Sequence, residues 1–221
     1  MEKKSAVASV DQMRQSYEEG SLSIDDVGVC PIDFFKNWFE QARQAEHPEW
    51  LEINAMTLST VAADPSPDSR IVLLKGVEDG RFRFFSNYDS DKGRQIESND
   101  RVALCFHWPH LQRQVRILGN AQKSAREITE NYFQTRPRGS QLGALVSNQS
   151  QQTTLEELQQ KMADLEAKYA EQKVPCPAHW GGYDVEPTRI EFWQGRPSRL
   201  HDRIVFKLSG DSSWVIERLS P

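Results

Sequence analysis

The chain has 221 residues, enough for one large domain or two small ones with a substantial buried core. Its 27 Lys and Arg against 32 Asp and Glu give a formal charge of −5, which disfavours a surface built to coat nucleic acid or an anionic membrane. Ten Phe and six Trp exclude a wholly disordered chain, and the three scattered cysteines, Cys30, Cys105 and Cys176, fit reduced thiols in the cytoplasm better than disulfides or a zinc site.

The chain opens with Lys3-Lys4, but Ala6–Val10 is too short and weakly apolar for a signal-peptide core, and no apolar run reaches the roughly 18 residues that span a bilayer. Residues 1–30 are polar and without period and read as an arm. Pro31 opens a helix whose Phe34, Phe35, Trp38, Phe39 and Ala42 share a face, with an end near His47-Pro48. The period then changes to two. Ala55–Ala62, Arg70–Val77, Arg81–Asn87, Arg101–Trp108 and Gln112–Gln122 read as strands, interrupted by a short helix at Lys92–Ser98. Cys105, inside an apolar run, reads as a small core residue. Ser124 with Glu127 predicts a capping box for a helix ending near Arg136-Pro137, and Thr154 with Glu157 predicts another. On the second helix Leu155, Leu158, Met162, Leu165 and Tyr169 form a narrow apolar stripe suited to packing on the body of the protein. Strands return at Tyr183–Glu186, Arg189–Trp193, Arg203–Leu208 and Trp214–Leu219. Tight turns between consecutive strands predict an antiparallel meander closed as a barrel. The expected architecture is α+β, one domain over residues 31–221 preceded by the arm.

No G-x-G-x-x-G after a strand, no G-x-x-x-x-G-K-[ST] and no G-x-S-x-G is present, so a Rossmann site, a P-loop and a hydrolase elbow are unsupported. His107 and His110 flank Trp108-Pro109 with no third ligand nearby, which makes a strand end and turn, not a metal pair. Arg70 and Lys75 bound an otherwise apolar strand and, at an odd separation, point to opposite faces. They serve two anions or simply mark the solvated ends of that strand. Tyr132 and Arg136 lie one helical turn apart, with Ser140 just beyond a Pro-Gly break. The set suits a phosphate clasp, or equally a surface arginine beside a half-buried tyrosine. In the tail, Arg199, His201 and Arg203 alternate along an expected strand. Three basic groups on one face repel unless they meet an anion, so this cluster reads as functional.

The run Glu191-Phe192-Trp193-Gln194 followed by Arg199-Leu200-His201-Asp202-Arg203 resembles the C-terminal signature of the pyridoxamine 5′-phosphate oxidase family. The resemblance extends over Arg14–Tyr17, Arg70–Lys75, Phe84–Lys92, Arg113–Val115, Tyr132–Ser140, Val146–Ser150, Trp180–Gly182 and Arg218–Pro221. It implies a split-barrel fold and a homodimer with FMN at the subunit interface. The implied activity is oxidation of pyridoxamine 5′-phosphate or pyridoxine 5′-phosphate to pyridoxal 5′-phosphate by O2, with release of H2O2.

Carried over by the resemblance, FMN would be held by Arg70, Ile71, Val72, Leu73, Phe85, Ser86, Lys92, Gln114, Gln149, Ser150, Trp193 and Arg203. Lys75, Tyr132, Arg136 and Ser140 would take the substrate phosphate, while Arg199, Leu200 and His201 would meet its ring. Arg199 and His201 are the implied catalytic pair, and Arg14, Gln15, Ser16 and Tyr17 would fold over as a lid. One departure stands out: Asp91 replaces a cation common in the family, which weakens the hold on FMN phosphate unless Arg94 or another cation compensates. The rival classes are a non-catalytic flavin or pyridoxal phosphate carrier, a split-barrel reductase using NAD(P)H or a deazaflavin, and a nucleic-acid module. The Arg199-Leu200-His201 signature and the clasp speak against the first two, and the acidic total against the third.

Overall fold

The structure, a computed structural model, describes residues 9–13 and 15–221. The basic start Lys3-Lys4 and the lid residue Arg14 lie outside the described residues. No helix among the described residues is long and apolar enough to cross a membrane.

Helix α1 (Pro31–Gln44) starts on a proline, carries Asp33 in its first turn, and buries Phe35, Trp38 and Ala42 at spacings of three and four. That stripe plugs the interior of a sheet that comprises, among the described residues, nine antiparallel strands: β1 (Ala55–Val61), β2 (Pro67–Leu73), β3 (Gly76–Glu78), β4 (Arg81–Asn87), β5 (Arg101–Trp108), β6 (Arg113–Lys123), β7 (Trp180–Gln194), β8 (Asp202–Leu208) and β9 (Trp214–Arg218). Phe35 meets Phe82, Phe106 and Trp108 with ring centroids 4.9, 5.1 and 6.2 Å away. Trp38 and Phe34 meet Phe192 at 5.3 and 4.7 Å. Each fully buried aromatic side chain of this kind contributes roughly 1.5–3 kcal/mol.

The sheet runs β2-β1-β5-β6-β7-β4-β3 and does not close, with β8 and then β9 branching from β7. Strand β7 explains the split. Along one edge it pairs with β6 over nearly its whole length; along the other, its first half pairs with β4 and its second half with β8. The architecture is therefore α+β on a split antiparallel barrel, as expected, but the consecutive meander is not formed, because β4 takes β7 as its neighbour rather than β2 or β5. The expected strand Arg70–Val77 is broken into β2 and β3, with Leu74 and Lys75 between them bonding to Asn54 and to Arg83. Tyr183–Glu186 and Arg189–Trp193 are one strand, interrupted only by a register shift opposite Leu118/Gly119. Cys105 is not a core residue: it lies half-buried opposite Arg116 on the other face, while its neighbours Leu104 and Phe106 are buried.

Helix α2 (Asp91–Ser98) follows β4, and α3 (Arg126–Thr135), α4 (Arg138–Val146) and α5 (Leu155–Lys168) fill the stretch between β6 and β7. The Ser124/Glu127 capping box is not made. The cap residue of α3 is Ala125, and Ser124 Oγ is buried without a partner beside Gly182. Thr154 caps α5 by accepting from the Glu157 amide, but the Glu157 carboxylate takes Thr153 instead. Met162 and Leu165 of α5, with Tyr169 at its C-terminal cap, pack on a second core of Phe133, Leu142, Ala144, Val174 and Trp180.

Gly93 fixes the entry to α2. Its amide reaches the Ser90 cap, and a Cβ built on it would sit 1.9 Å from the Tyr88 carbonyl oxygen. Gly93→Ala is expected to cost about 2 kcal/mol through overpacking, seen as a fall in Tm of roughly 4–8 °C for a chain of this size. A Tm within about 2 °C of wild type would show that the loop yields freely.

Candidate active site

A cleft of about 790 Å³ opens where β2 ends, bounded by β4, the start of α2, the α3–α4 corner and the first residue of β7. Ile71, Val72, Leu73, Lys75, Phe85, Ser86, Lys92, Tyr132, Arg136, Ser140 and Gln149 all line it. Residues more than sixty positions apart in sequence thus meet in one place, and the volume falls in the range of small-molecule sites.

Its floor is aromatic. Phe85 stacks on Tyr132 at 4.0 Å and 18° and on Trp180 at 5.4 Å and 12°. The Arg136 guanidinium lies 4.5 Å over the Trp180 ring. Arg136 follows the last residue of α3 with extended dihedrals, and its Nη1 is buried without a hydrogen-bond partner. Burial pulls the pKa of this guanidinium below its usual range, against the opposing pull of Tyr132 and Cys176, because the charged form is poorly solvated there. A buried, unpaired cationic nitrogen is costly unless an anion meets it.

Lys92 supplies a second cation. Its Nζ donates to Ser90 Oγ at 2.9 Å and to Gln149 Oε1 at 2.8 Å. Burial, reinforced by the charge of Arg70, pushes its ammonium down to about 8, against the opposing pull of Asp91 and Asp68. The carboxylate of Asp91, the residue before Lys92, is taken up by Arg94 on the same helix, and the Asp91 amide donates to Ser150 Oγ. That pair offsets the Asp91 charge locally, and Arg94 itself is not among the residues lining the cleft.

The wall opposite is α4, which the Pro-Gly break concealed in the sequence. Ser140, Gly143, Ala144 and Ser147 recur at helical spacing and line the cleft, so small side chains let a ligand approach the helix closely. Trp180, Thr135, Asn87 and, on this α4 face, Gly143, Ala144 and Ser147 are cleft residues that the sequence reading does not assign to the site. The period of small residues from Ser140 to Ser147 is the signal that could have found the last of them.

The remaining expected residues collect elsewhere. Gln114, Trp193 and Arg203 lie side by side across β6, β7 and β8. Beside them, His201 packs on Trp193 with centroids 4.6 Å apart, and Tyr17 meets both rings edge-on at 5.9 and 5.6 Å. Gly195 makes room for Tyr17, since a Cβ there would sit 2.9 Å from Tyr17 Cβ. The Arg196 amide donates to His201 Nδ1 at 3.1 Å, so neutral His201 carries its proton on Nε2. Burial and the charge of Arg199 both lower the His201 pKa against the pull of Asp202, favouring that neutral form. Gln15, Ser16, Arg199 and Leu200 are exposed.

Three expectations change, two of them at this end. Arg199 and His201 are not on a strand: Pro197–Arg199 is a 3-10 turn in which Ser198 and Arg199 both take left-handed dihedrals, and β8 begins only at Asp202. The anion that Arg203 meets is internal, because its Nε and Nη2 both lie 2.9 Å from Oε1 of the buried Glu191. Arg70 is likewise occupied, held by Asp68, Thr60 and Gln95 behind Lys92 and off the cleft lining.

The two clusters lie toward opposite ends of β7. Phe85 pairs with Gly182, and Trp193 stands eleven residues further along the same strand, roughly 35 Å of extended chain.

Residues 43–171 match the sequence model for pyridoxamine 5′-phosphate oxidase, and residues 180–221 match that for the pyridoxine 5′-phosphate oxidase C-terminal dimerisation region. A pyridoxine/pyridoxamine 5′-phosphate oxidase of Rhodopirellula baltica is 52% identical over 217 residues, covering 96% of this chain and 97% of the relative. One of Leptospira interrogans is 51% identical over 213 residues, covering 96% and 98%. The crystal structure of PhzG from Burkholderia lata 383, in complex with tetrahydrophenazine-1-carboxylic acid, matches with a TM-score of 0.83 and 26% identity over 91% of this chain and 100% of that one. A pyridoxamine 5′-phosphate oxidase-related, FMN-binding protein of Nostoc punctiforme shares the fold, with a TM-score of 0.70 at 13% identity over 88% of this chain and 100% of that one. With its fold, its cleft and near full-length identity of about one half in agreement, this chain belongs to the pyridoxine/pyridoxamine 5′-phosphate oxidase family of oxidoreductases.

Proposed function

We propose that the protein is an FMN-dependent oxidase that converts pyridoxamine 5′-phosphate or pyridoxine 5′-phosphate to pyridoxal 5′-phosphate, passing electrons to O2 and releasing H2O2. The observation that carries the reading is the unpartnered Arg136 Nη1 in a cleft shared with Lys75, Tyr132 and Ser140. A charged nitrogen held in place without a partner suits a phosphate, whose oxygens accept in the plane of a guanidinium.

The residues present fit FMN. Ile71, Val72, Leu73 and Phe85 give apolar wall for a flavin ring, and Lys92 points no ion pair at any carboxylate within the cleft. Ser86, Gln149 and Ser150 add neutral donors and acceptors near Lys92. Bound FMN would supply the two-electron redox chemistry, and the protein the binding, orientation and electrostatics.

The placement of the two clusters supports a homodimer. Trp193, Arg199, Leu200, His201 and Arg203 are far along β7 from the cleft of their own chain and fall in the segment matching a dimerisation region. A two-fold arrangement would let the Gln114–Trp193–Arg203 row and the Arg199/His201 turn of one subunit complete the cleft of the other. There Arg199 would cover the substrate ring and exclude water. The Nε2–H of His201, fixed by the Arg196 amide on Nδ1, would donate to a substrate oxygen or nitrogen. Tyr17, seated against Trp193 and His201, supports the segment Arg14–Tyr17 as a lid over that place. The arm over residues 1–30 and the barrel over 31–221 are proposed as the two functional parts. The three free cysteines suit the reducing cytoplasm.

The purified protein is expected to be yellow, and anaerobic pyridoxamine 5′-phosphate is expected to bleach its visible absorbance. A colourless protein that takes up no flavin from added FMN would remove the cofactor assignment. A yellow protein that no B6 phosphate bleaches would remove the substrate assignment.

A further inference from the structure

We propose that Trp180 is the platform that sets Arg136 and Tyr132 for phosphate, and so determines the preference for a phosphorylated substrate. The inference rests on the reading of Lys75, Tyr132, Arg136 and Ser140 as a phosphate clasp. Three near-parallel rings occupy the cleft floor: Tyr132 lies on Phe85, Phe85 on Trp180, and the planes of Tyr132 and Trp180 differ by only 8°. The Arg136 guanidinium lies over the same indole.

Among the described residues the guanidinium otherwise meets only the Phe133 ring, and more distantly, at 5.7 Å. It makes no ion pair and no side-chain hydrogen bond, and Arg136 itself has left the helix and precedes Pro137. Stacking occupies its face and leaves the N–H groups free in the plane, where a tetrahedral anion can take two of them at once. Trp180, by contrast, is anchored on its own account. It pairs with Asn87 across β4 and β7, its carbonyl accepts from Arg126 Nη1 at 3.2 Å, and Phe133 meets its ring edge-on at 5.3 Å. The order at the start of β7 is thereby passed through one indole to two clasp residues. Trp180 is a positioning residue in this scheme and touches no reacting atom.

The test compares wild-type holoenzyme with Trp180→Phe and Trp180→Leu, measuring binding of pyridoxal 5′-phosphate against unphosphorylated pyridoxal by calorimetry. Wild type is expected to favour the phosphorylated ligand. Trp180→Phe should keep that ratio within about threefold, whereas Trp180→Leu should lower it about tenfold. FMN content should be unchanged, and kcat for pyridoxamine 5′-phosphate should stay within about twofold while KM rises. A Trp180→Leu protein with the wild-type ratio, or one that loses both ligands equally, overturns the platform. A wild type that does not distinguish the two ligands overturns the clasp itself, and the platform with it. Should Trp180→Leu yield no soluble holoenzyme, a titration with inorganic phosphate decides. Tryptophan emission should respond in wild type and not in Trp180→Phe, and an equal response in both overturns the proposal.

Discussion

Glu191→Ala is expected to lower stability by about 3 kcal/mol, the lower end of what breaking a buried ion pair costs. Glu191 is 1% exposed, and its carboxylate is ringed by Arg189, Arg203 and Arg116. Removing it leaves three guanidiniums facing one another across β6, β7 and β8. They are 21–49% exposed, so water screens part of the repulsion, which is why the lower figure applies. In a chain of this length the change corresponds to a fall in Tm of roughly 6–12 °C. The acid dependence separates charge from packing. Burial raises the Glu191 pKa, but hydrogen bonds from Arg189 and Arg203 and their charges outweigh it and hold the carboxyl below 4.5. A carboxyl whose pKa is lower in the folded state stabilises fully above its unfolded value, about 4.5, and loses that contribution as pH falls through the folded value. The gap in Tm between wild type and Glu191→Gln should therefore be widest near neutral pH and shrink below about pH 4.5. A gap that does not change with pH would place the effect in packing.

The same carboxylate shows where reading the chain stops. Glu191 and Arg203 both stand in the C-terminal signature run, but their pairing needs the β7–β8 hairpin, which brings side chains twelve positions apart within 2.9 Å. Local signals transferred well. The Pro31 helix with its Phe35, Trp38 and Ala42 stripe, the Thr154 cap and most strand runs are in the structure because their causes act over a few residues. What failed is non-local or depends on a neighbour. The pairing of β4 with β7 spans about a hundred residues, and the break at Leu74 and Lys75 exists because those residues bond to Asn54 and Arg83. Cys105 sits in an apolar run yet faces away from the core, because alternation along β5 is set by Leu104 and Phe106.

For the cleft, residue type was more legible than grouping. Tyr132 and Arg136, one helical turn apart in sequence, and Ser140 beyond the Pro-Gly break do line one cleft, although α3 ends before Arg136 and Ser140 belongs to α4. Arg70 and Lys75 do part company, Arg70 toward Thr60 and Gln95, Lys75 onto the cleft. Trp180 enters the sequence reading only within the Trp180–Gly182 stretch of the resemblance, ahead of the strand expected from Tyr183, and nothing local marks its role. Its partners come from β4 and from the α3 corner.

Arg136→Ala is expected to lower kcat/KM for pyridoxamine 5′-phosphate about a hundredfold, a loss of roughly 2.7 kcal/mol. Charge-assisted hydrogen bonds contribute about 1.5–3 kcal/mol each, and two parallel ones to a phosphate exceed what Lys75 alone can replace. The loss should appear mainly in KM, because the phosphate lies away from the bond that is oxidised and binds alike in ground and transition states. Arg136→Lys should recover only part of it, since a compact ammonium neither stacks as a plane on Trp180 nor presents a fork of donors. FMN content should stay near that of wild type, because Lys92, with Gln149 and Ser86, is the cation side of the cleft assigned to the cofactor. Steady-state kinetics alongside a flavin titration separate the assignments. Equal losses in substrate and FMN affinity would move Arg136 to the cofactor's phosphate. Unchanged kinetics would remove it from both, leaving its buried nitrogen without the anion that accounts for it.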